Sequence, residues 1–284
     1  MEGYLLDHKS VSKFNIMSNK RIIYQVDAFT SEPFRGNPAG VCILEKEMPE
    51  KYMQNIAAEM NLSETAFISK LKSGYKIRFF TPETEIPLCG HATLSSAHIM
   101  FETDVVRRDD TITFNSGVGK LVVSSEDSWI IMNFPAYKLE PVNIPAGIDK
   151  IIGIKPVELY RTGHGWSFAL LRNEGEVKEL KPNLKDMKNS EYGDLIVTAP
   201  SDDPEFDFCV RCFAPALGID EDPVTGSAHC VLVPFWSEKT GRKEFVSHQV
   251  SKRGGILKVA LKNKRVEISG QAITVFRAEL CIHL

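Results

Sequence analysis

The feature that most constrains the fold of this 284-residue chain is a pattern that occurs twice. In the first half, Phe-Thr-Pro at 80–82 is followed by Cys-Gly-His-Ala at 89–92. In the second half, Phe-Ala-Pro at 213–215 is followed by Thr-Gly-Ser-Ala at 225–228. Each copy reads as a strand end followed by a glycine turn that opens a helix. The recurrence predicts two copies of one α/β unit, with a ligand site where their equivalent ends meet.

Hydrophobic periodicity supplies both strands and helices in each half. Apolar and β-branched runs predict strands that include 22–29, 75–80, 158–162 and 208–213. An amphipathic helix is predicted after Pro49, and the largely apolar stretch 91–101 predicts a buried helix. Together these elements indicate an α+β fold of two pseudo-repeated domains.

The proline-rich stretch around 134–145 has little periodicity and is the best candidate for a domain boundary. We predict a first domain at 18–136 and a second at 137–284, whose last strand could return to the first domain. Residues 1–17 are polar and irregular, and we predict an extension that lies outside the fold.

Charge and hydropathy narrow the class of protein. The 34 basic and 37 acidic residues nearly balance, giving a net charge of −3 that provides no general attraction for nucleic acid. The N-terminus lacks the apolar core of a signal peptide, and no apolar run is long enough to cross a membrane. These features predict a cytoplasmic protein that binds neither nucleic acid nor membrane.

The six cysteines predict reduced thiols, because no secretion signal accompanies them. Cys209 and Cys212 form a C-x-x-C pair, which invites a redox or zinc interpretation. Their surroundings indicate a strand, however, in which residues three apart point to opposite faces. We therefore expect both cysteines to be structural.

Two glycines suggest how a ligand could be held. A helix N-terminus presents unpaired N–H groups and the positive end of the helix dipole, and it therefore attracts anions. Gly90 and Gly226 would let a ligand approach such N–H groups closely. The pair predicts a small carboxylic acid as ligand, whereas the alternative is that each glycine merely permits a tight loop.

Glu64 heads an apolar run and is the candidate acid/base. Burial would raise the pKa of its carboxyl group, which suits proton transfer near neutral pH. The alternative is a turn glutamate that faces solvent. His91, Asp222 and Ser227 are the polar groups nearest in sequence to the two glycine turns, and any of them could orient a substrate or relay a proton.

Common cofactor and metal signatures are missing from the sequence. It contains no G-x-G-x-x-G, no Walker A motif, no H-E-x-x-H and no G-x-S-x-G nucleophile elbow. We therefore predict proton transfer with no cofactor and no metal.

The chain resembles the PhzF (phenazine-biosynthesis isomerase-like) family, which has the diaminopimelate-epimerase-like fold. Four stretches carry the resemblance in family order: QVDAFTSEPFRGNPAGV (25–41), NLSETAFI (61–68), IRFFTPETEIPLCGHATLSSAH (77–98) and RCFAPALGIDEDPVTGSAHCVLVPFW (211–236). The resemblance implies two domains, each a barrel-like sheet around a central helix, with the active site between them. It also implies a homodimer.

The same resemblance implies a role for each site residue. Glu64 would shuttle the proton, with His91 and Asp222 as its polar partners. Substrate binding would fall to five residues: Ser63, Gly90, Gly226, Ser227 and, as the weakest candidate, Asn37.

We therefore predict a cofactor-independent isomerase that moves a proton on a small cyclic or unsaturated carboxylic acid. One alternative is an amino-acid epimerase that uses Cys89, since epimerases of this fold use a cysteine from each half. The counterpart of Cys89 is Thr225, however, and its hydroxyl is far too weak an acid to mirror a thiol. A second alternative is a non-catalytic interaction protein that keeps the fold, and a large exposed apolar patch would mark it.

Overall fold

The computed structural model of the chain describes residues 21–163 and 165–281. The extension predicted at 1–17 lies outside these residues. The first half contains eight strands and two helices: β1 (Arg21–Ala28), β2 (Asn37–Leu44), α1 (Glu50–Met60), β3 (Glu64–Lys70), β4 (Tyr75–Phe80), β5 (Glu85–Ile86), α2 (Gly90–Glu102), β6 (Ile112–Ser116), β7 (Gly119–Glu126) and β8 (Trp129–Pro135).

The second half has ten strands and four helices, with short 3-10 turns at Pro215–Leu217 and Gly226–Ala228. Its elements are β9 (Leu139–Val142), α3 (Ile148–Ile152), β10 (Glu158–Thr162), β11 (Ser167–Leu170), α4 (Glu174–Glu179), α5 (Leu184–Lys188), β12 (Leu195–Pro200), β13 (Phe208–Ala214), β14 (Ile219–Asp222), α6 (His229–Thr240), β15 (Glu244–Gln249), β16 (Gly255–Lys262), β17 (Arg265–Gly270) and β18 (Ala272–Leu280). This mixture of long strands and few helices confirms the predicted α+β class.

Two strand pairings carry the sheet from one half of the chain to the other. The last strand, β18, pairs antiparallel with β1, and β17 pairs antiparallel with β8. The backbone hydrogen bonds of these pairs therefore join segments from opposite ends of the sequence. The sheet is continuous across residue 136, where the domain boundary was predicted, and the boundary itself stays a prediction.

Helix α2 is buried on nearly all sides and packs against β1, β2, β3, β8 and β18. Its polar residues are accommodated by bonds to the helix backbone: the hydroxyls of Thr93 and Ser96 donate to the carbonyls of Cys89 and Ala92. Because such a helix has no solvent face, its sequence is apolar without clear amphipathic periodicity.

Helix α6 is the corresponding buried helix of the second half and packs against β15, β16 and β17. Pro234 lies inside it and has no N–H to donate to the carbonyl of Cys230. That carbonyl instead accepts the backbone N–H of Tyr137, at 2.9 Å. The connection between the halves is thus tied to the central helix of the second half.

The outer faces of the sheet are covered by the remaining helices. Met53 and Ile56 of α1 pack in one cluster with Phe67 and Phe80. The short helices α3, α4 and α5 cover the second half, where Val177 and Met187 join a separate cluster. The apolar residues of α2 and α6 belong to one continuous core. None of the described helices has both the length and the apolarity needed to cross a bilayer.

Phe29 is the residue about which the two halves pack. It is fully buried and has a φ of 64°, a left-handed conformation that is rare for an aromatic residue. Its ring packs against Gly226 and Gly270, where a Cβ atom would lie only 3.0 and 2.4 Å from ring carbons. Its N–H donates to Gln271 and its carbonyl accepts from Ile256. Packing and backbone hydrogen bonds together hold this conformation.

Two local expectations have clear outcomes. The proline-rich connection contains a short strand, β9, which pairs with β10. The sequence did not predict this strand, because the connection has little hydrophobic periodicity. Cys209 and Cys212 both lie on β13, but they belong to different hydrophobic clusters. Their opposite orientation is as predicted, and both thiols are free and buried.

The packing around Phe29 predicts that Gly270→Ala destabilises the protein. The added methyl group would lie 2.4 Å from Phe29 Cδ1 and 2.7 Å from Leu94 Cδ1, and both of these side chains are fully buried. We expect the free energy of unfolding in urea to fall by roughly 1–3 kcal/mol, as for other overpacked cores. Gly163→Ala is the matched control, because its Cβ would meet no described atom within 4 Å. Equal stability of the two variants would contradict this packing.

Candidate active site

Glu64 is the first residue of β3, which begins shortly after α1. Asn61 caps the C-terminus of α1 with a left-handed φ of 50°, which asparagine tolerates better than most residues. The chain then turns through Ser63 into β3, which runs parallel to β2 with Glu64 opposite Ala39. The Glu64 side chain is only 12% exposed, so the predicted carboxylate at the head of a buried strand is present.

Helix α2 begins beside this carboxylate. Cys89 is its N-cap, and no capping side chain is bonded there within the described part of the chain. A Cβ atom on Gly90 would meet none of the described atoms within 4 Å, so the space beside its Cα is open. A helix N-terminus presents unpaired N–H groups, which favour an anion.

His91 is the polar centre of the first half. Its Nε2 atom lies 3.0 Å from Glu64 Oε2 and 3.4 Å from Ser63 Oγ. Its Nδ1 atom lies 3.4 Å from Cys89 Sγ. Glu64 Oε2 is buried and at ion-pair distance from the imidazole of His91. The carboxylate and the ring therefore form a buried acid–base pair.

The ionisation of Glu64 differs from the sequence-based expectation. Burial pushes its pKa upward, but the charge of His91 and hydrogen bonds from neighbouring side chains outweigh burial. The pKa of Glu64 therefore lies below its usual value of 4.5, and the expectation of a raised pKa was wrong. At neutral pH Glu64 is a carboxylate, which is the form of a general base.

His91 shows the reverse change. Burial disfavours the charged ring, but Cys89 and Glu64 raise the pKa of His91 well above its usual 6.5. Burial raises the pKa of the Cys89 thiol, and the charge of His91 opposes this rise. The first half therefore places a carboxylate and a thiol beside one imidazole.

The second half contributes Asp222, the last residue of β14. Its carboxylate accepts hydrogen bonds from Asn37 Nδ2 at 2.8 Å and from Thr225 Oγ1 at 2.5 Å. Burial raises the pKa of Asp222, and the charge of His91 partly opposes this rise. Asp222 is thus within electrostatic range of the Glu64–His91 pair, although it lies in the other half of the sequence.

Asn37, the first residue of β2, bridges the two halves. Its fully buried amide group donates to Asp222 and also to the carbonyl of Val224, at 2.9 Å. Both acceptors are oxygens, so the orientation of the amide is set by the hydrogen bonds themselves. Asn37 Oδ1 is buried and has no hydrogen-bond partner among the described residues. The weakest of the predicted site residues therefore has an important structural position.

The other predicted residues of the second half are placed differently. Gly226 packs against the Phe29 ring, and a Cβ atom there would lie 3.0 Å from a ring carbon, so packing requires a glycine. At Gly90 a Cβ atom would meet no described atom within 4 Å. Ser227 follows Gly226 in the 3-10 turn and is exposed. The α-helix itself begins only at His229, two residues after the predicted start.

Sequence reasoning missed two buried residues that hold the second glycine turn. The Nδ1 atom of His229 lies 3.2 Å from the carbonyl oxygen of Thr225, and its Nε2 lies 2.9 Å from Ser247 Oγ. Burial lowers the pKa of His229 to about 4, so the ring is neutral and structural. Gln249 accepts the N–H of Thr225 and donates to the carbonyl of Asp222. The repeated pattern could have indicated this role of His229. In the first copy, Thr93 occupies the position equivalent to His229, and its hydroxyl donates to the carbonyl of Cys89, which is equivalent to Thr225.

Three side chains of the first half carry donor atoms of the kinds that bind a metal ion. One ligand atom from each of Glu64, Cys89 and His91 lies within 4.8 Å of the others. Oxygen, sulfur and nitrogen are donor types that zinc accepts. Glu64 Oε2 lies at Nε2 of the ring, however, whereas Cys89 Sγ is nearer Nδ1, so the three donors do not surround one position.

The chain matches known proteins over nearly its whole length. Residues 26–278 match the PhzC-PhzF family model, which describes phenazine biosynthesis-like proteins. An uncharacterized isomerase of Halalkalibacterium halodurans is 46% identical over 261 residues, which cover 92% of this chain and 98% of that protein.

Solved structures agree with this assignment. A PhzF-family phenazine biosynthesis protein of Enterococcus faecalis has a TM-score of 0.88 and 40% identity, over 93% of this chain and all of that one. A hydroxyproline epimerase from Agrobacterium vitis has a TM-score of 0.59 and 10% identity over 92% and 91% of the two chains, a likeness of fold alone. The chain therefore belongs to the phenazine biosynthesis-like PhzF family of isomerases, with an epimerase-like α+β fold.

Proposed function

We propose that this isomerase moves a proton between two carbons of a small cyclic or unsaturated carboxylic acid, with Glu64 as the acid/base. The observation that carries the proposal is the position of the Glu64 carboxylate. It lies 3.0 Å from the His91 ring and close to the N-terminus of α2, where the space beside Gly90 is open among the described residues. This arrangement combines a base and an anion site without any cofactor.

The substrate carboxylate would bind to the first N–H groups of α2 in the open space before Gly90, and Ser63 would donate a further hydrogen bond. The helix dipole and the charge of His91 both favour an anion there. No arginine is required. Such binding would place the carbon chain of the substrate against Glu64.

Glu64 would then remove a proton from one carbon, and the resulting carbanion would delocalise over the neighbouring double bond. His91, as an imidazolium, stabilises the negative charge that develops near Glu64. Protonated Glu64 returns the same proton to a second carbon on the same face. The substrate gains and loses one proton, and the enzyme ends in its starting state.

Asp222 supports this reaction from the other half. We propose that it orients the substrate together with Asn37, which donates to its carboxylate, while Ser227 and the backbone of Gly226 contact the substrate from the second turn. Because burial raises the pKa of Asp222, the group can carry a proton more readily than an ordinary aspartate and can donate it to a substrate oxygen.

Epimerisation through Cys89 is the second candidate, and the site favours it less. The Cys89 thiol has a raised pKa, and its counterpart Thr225 donates its hydroxyl proton to Asp222. Neither group is thus prepared to act as an acid or base in a two-base mechanism. A binding protein without catalytic activity would not need the Glu64–His91 pair. The homodimer and the cytoplasmic location stay predictions.

The mechanism predicts that Glu64→Gln abolishes proton exchange and Cys89→Ser does not. We would incubate small unsaturated, cyclic and amino carboxylic acids with the protein in deuterated buffer and follow solvent deuterium by NMR. For a compound that exchanges, Glu64→Gln should slow exchange by about 100-fold or more, as expected on loss of a general acid/base. Cys89→Ser should retain most of the rate.

The opposite pattern, with exchange lost in Cys89→Ser and kept in Glu64→Gln, would establish the epimerase alternative. Exchange that persists in both variants would contradict both assignments. Circular dichroism of the two variants would verify that each is folded.

A second prediction concerns the pKa of His91. Its imidazole should titrate above 6.5 in the wild type, because Glu64 stabilises the charged ring. Glu64→Gln removes the negative charge and should lower the His91 pKa, as measured from the ring resonances by NMR. His98 on the same helix is the internal control, because it lies 3.3 Å from Glu102 and should titrate unchanged. An unshifted His91 would show that the two groups are not coupled.

A third prediction concerns metal removal. Prolonged dialysis against a chelator should leave the exchange rate within about twofold of the untreated enzyme, since a general base supplies the rate enhancement by itself. Elemental analysis of the dialysed protein would verify that metal is absent. Loss of activity that returns on addition of zinc would instead make Glu64, Cys89 and His91 a catalytic metal site.

A further inference from the structure

Asp27 is a buried charged residue that the proposed proton transfer does not use. It lies on β1 and is only 1% exposed. Its Oδ1 atom accepts a hydrogen bond from Arg253 Nη2 at 2.8 Å, and its Oδ2 atom accepts the backbone N–H of Phe34 at 2.7 Å. Burial raises the pKa of Asp27, and both partners oppose this rise. A buried ion pair is weak evidence for added stability, so the groups that this pair holds in place matter more.

Arg253 lies in the loop between β15 and β16 and reaches from the second half of the chain to the turn that precedes Asn37. Its Nε atom donates to the carbonyl of Gly36 at 2.7 Å, and its Nη2 atom donates to the carbonyl of Arg35 at 2.8 Å. The N–H of Gly36 in return donates to the carbonyl of Gly254 at 2.9 Å. The loop therefore holds the backbone on the N-terminal side of Asn37.

The same loop also holds the backbone that follows Asp222. Ser251 Oγ donates to the carbonyl of Pro223 at 2.6 Å. Pro223 is adjacent to Asp222 in the sequence, as Gly36 is adjacent to Asn37. The loop between β15 and β16 thus contacts a neighbour of each of the two residues whose side chains meet at 2.8 Å.

The turn before Asn37 has a conformation that needs such external support. Phe34 has a φ of 70°, in the left-handed region that is rare for an aromatic residue, and it is 73% exposed. Burial of the ring therefore cannot maintain this conformation, whereas the hydrogen bond from its N–H to Asp27 can. Strained backbone persists where the surrounding contacts impose it, and it is concentrated at functional sites.

We propose that Arg253 is a positioning residue of the isomerase, which fixes the turn before Asn37. Held by the buried carboxylate of Asp27, its guanidinium group aligns the Asn37 amide with the carboxylate of Asp222. Arg253 acts on the reaction through Asn37 and not by contact with the substrate. The alignment follows from the hydrogen bonds around Arg253, whereas its effect on turnover rests on the proposed function of the site.

The role requires an arginine and not merely a positive charge. The planar guanidinium group directs its donors in a fixed fork, here toward one carboxylate and two backbone carbonyls. An ammonium group would keep the charge opposite Asp27, but it is a compact point charge that does not reproduce the fork. Arg253→Lys therefore separates positioning of the turn from neutralisation of Asp27.

The alignment of Asn37 would be tested first, without substrate. Asn37 is fully buried, and its side-chain amide signals would be assigned by triple-resonance NMR. In Arg253→Lys these amide protons should exchange with solvent about 10-fold faster or more, because the loss of a hydrogen-bond anchor makes local opening easier. The side-chain amide of Asn115, which donates to the carbonyl of Tyr75, is the internal reference for a general loosening of the fold.

Arg265→Lys is the matched control variant. Arg265 also joins the two halves of the chain, since it donates to the side chain and to the carbonyl of Asn133, but neither group is next to a site residue. This variant should leave the exchange of the Asn37 amide within about twofold of the wild type, because the two sites share no partner. Urea unfolding would verify that both variants are folded.

Turnover would be measured on the same proteins with a compound that exchanges deuterium in the wild type. Because the substrate carboxylate binds to α2, Arg253→Lys should lower kcat by about 10-fold or more and leave KM within about twofold, the pattern expected when a group that acts in the transition state is misplaced. Arg265→Lys should change neither constant by more than about twofold.

An unchanged Asn37 exchange rate in Arg253→Lys would overturn the proposal. Faster exchange of Asn115 by the same factor would also overturn it, because the whole fold would then be loosened. A rise in KM alone would make Arg253 a substrate-binding residue and contradict its positioning role. A wild type that exchanges no compound would refute the proposed function, while faster Asn37 exchange in Arg253→Lys would still support the alignment.

Discussion

Asn37 and Asp222 come from opposite halves of the chain and are joined by a buried hydrogen bond of 2.8 Å. A second bond from the same amide to Val224 fixes the turn that follows Asp222. Breaking these bonds would leave buried polar atoms unsatisfied, which costs more than the bonds themselves contribute. Two further contacts hold the halves in the relative position that this hydrogen bond requires. They are the strand pairs β1–β18 and β8–β17 and the packing of Phe29 on Gly226 and Gly270.

The relative position of the two halves determines the electrostatics of the site. Glu64 and Asp222 are two acidic groups that share the field of one imidazole, and they respond in opposite directions. Glu64 is adjacent to His91, and its pKa falls. Asp222 has the same charge nearby, but burial outweighs it, and its pKa rises. Groups with divergent pKa values suit different roles in acid–base catalysis.

Local sequence patterns predicted most of the elements that carry the site. Strands β4 and β10 were predicted at their observed bounds, and the start of α2 differs by one residue. Strand β9 was missed because Pro141 and the surrounding prolines indicate a loop, whereas pairing with β10 stabilises an extended segment there. The sequence analysis did not identify His229 and Gln249 either. Both make hydrogen bonds with the backbone of Thr225, and the local sequence around Gln249 contains no signal of that contact.

The sequence by itself determined the family, the α+β class, the repeated unit and the placement of Glu64 at the head of a strand, because periodicity, turn residues and long motifs are local properties of a chain. Only the tertiary structure decided which groups meet. The pKa of Glu64 shows this most clearly: burial alone predicts a raised value, and the contact with His91, 27 residues away in sequence, reverses it. Charge interactions depend on distance in space, and the fold alone sets that distance.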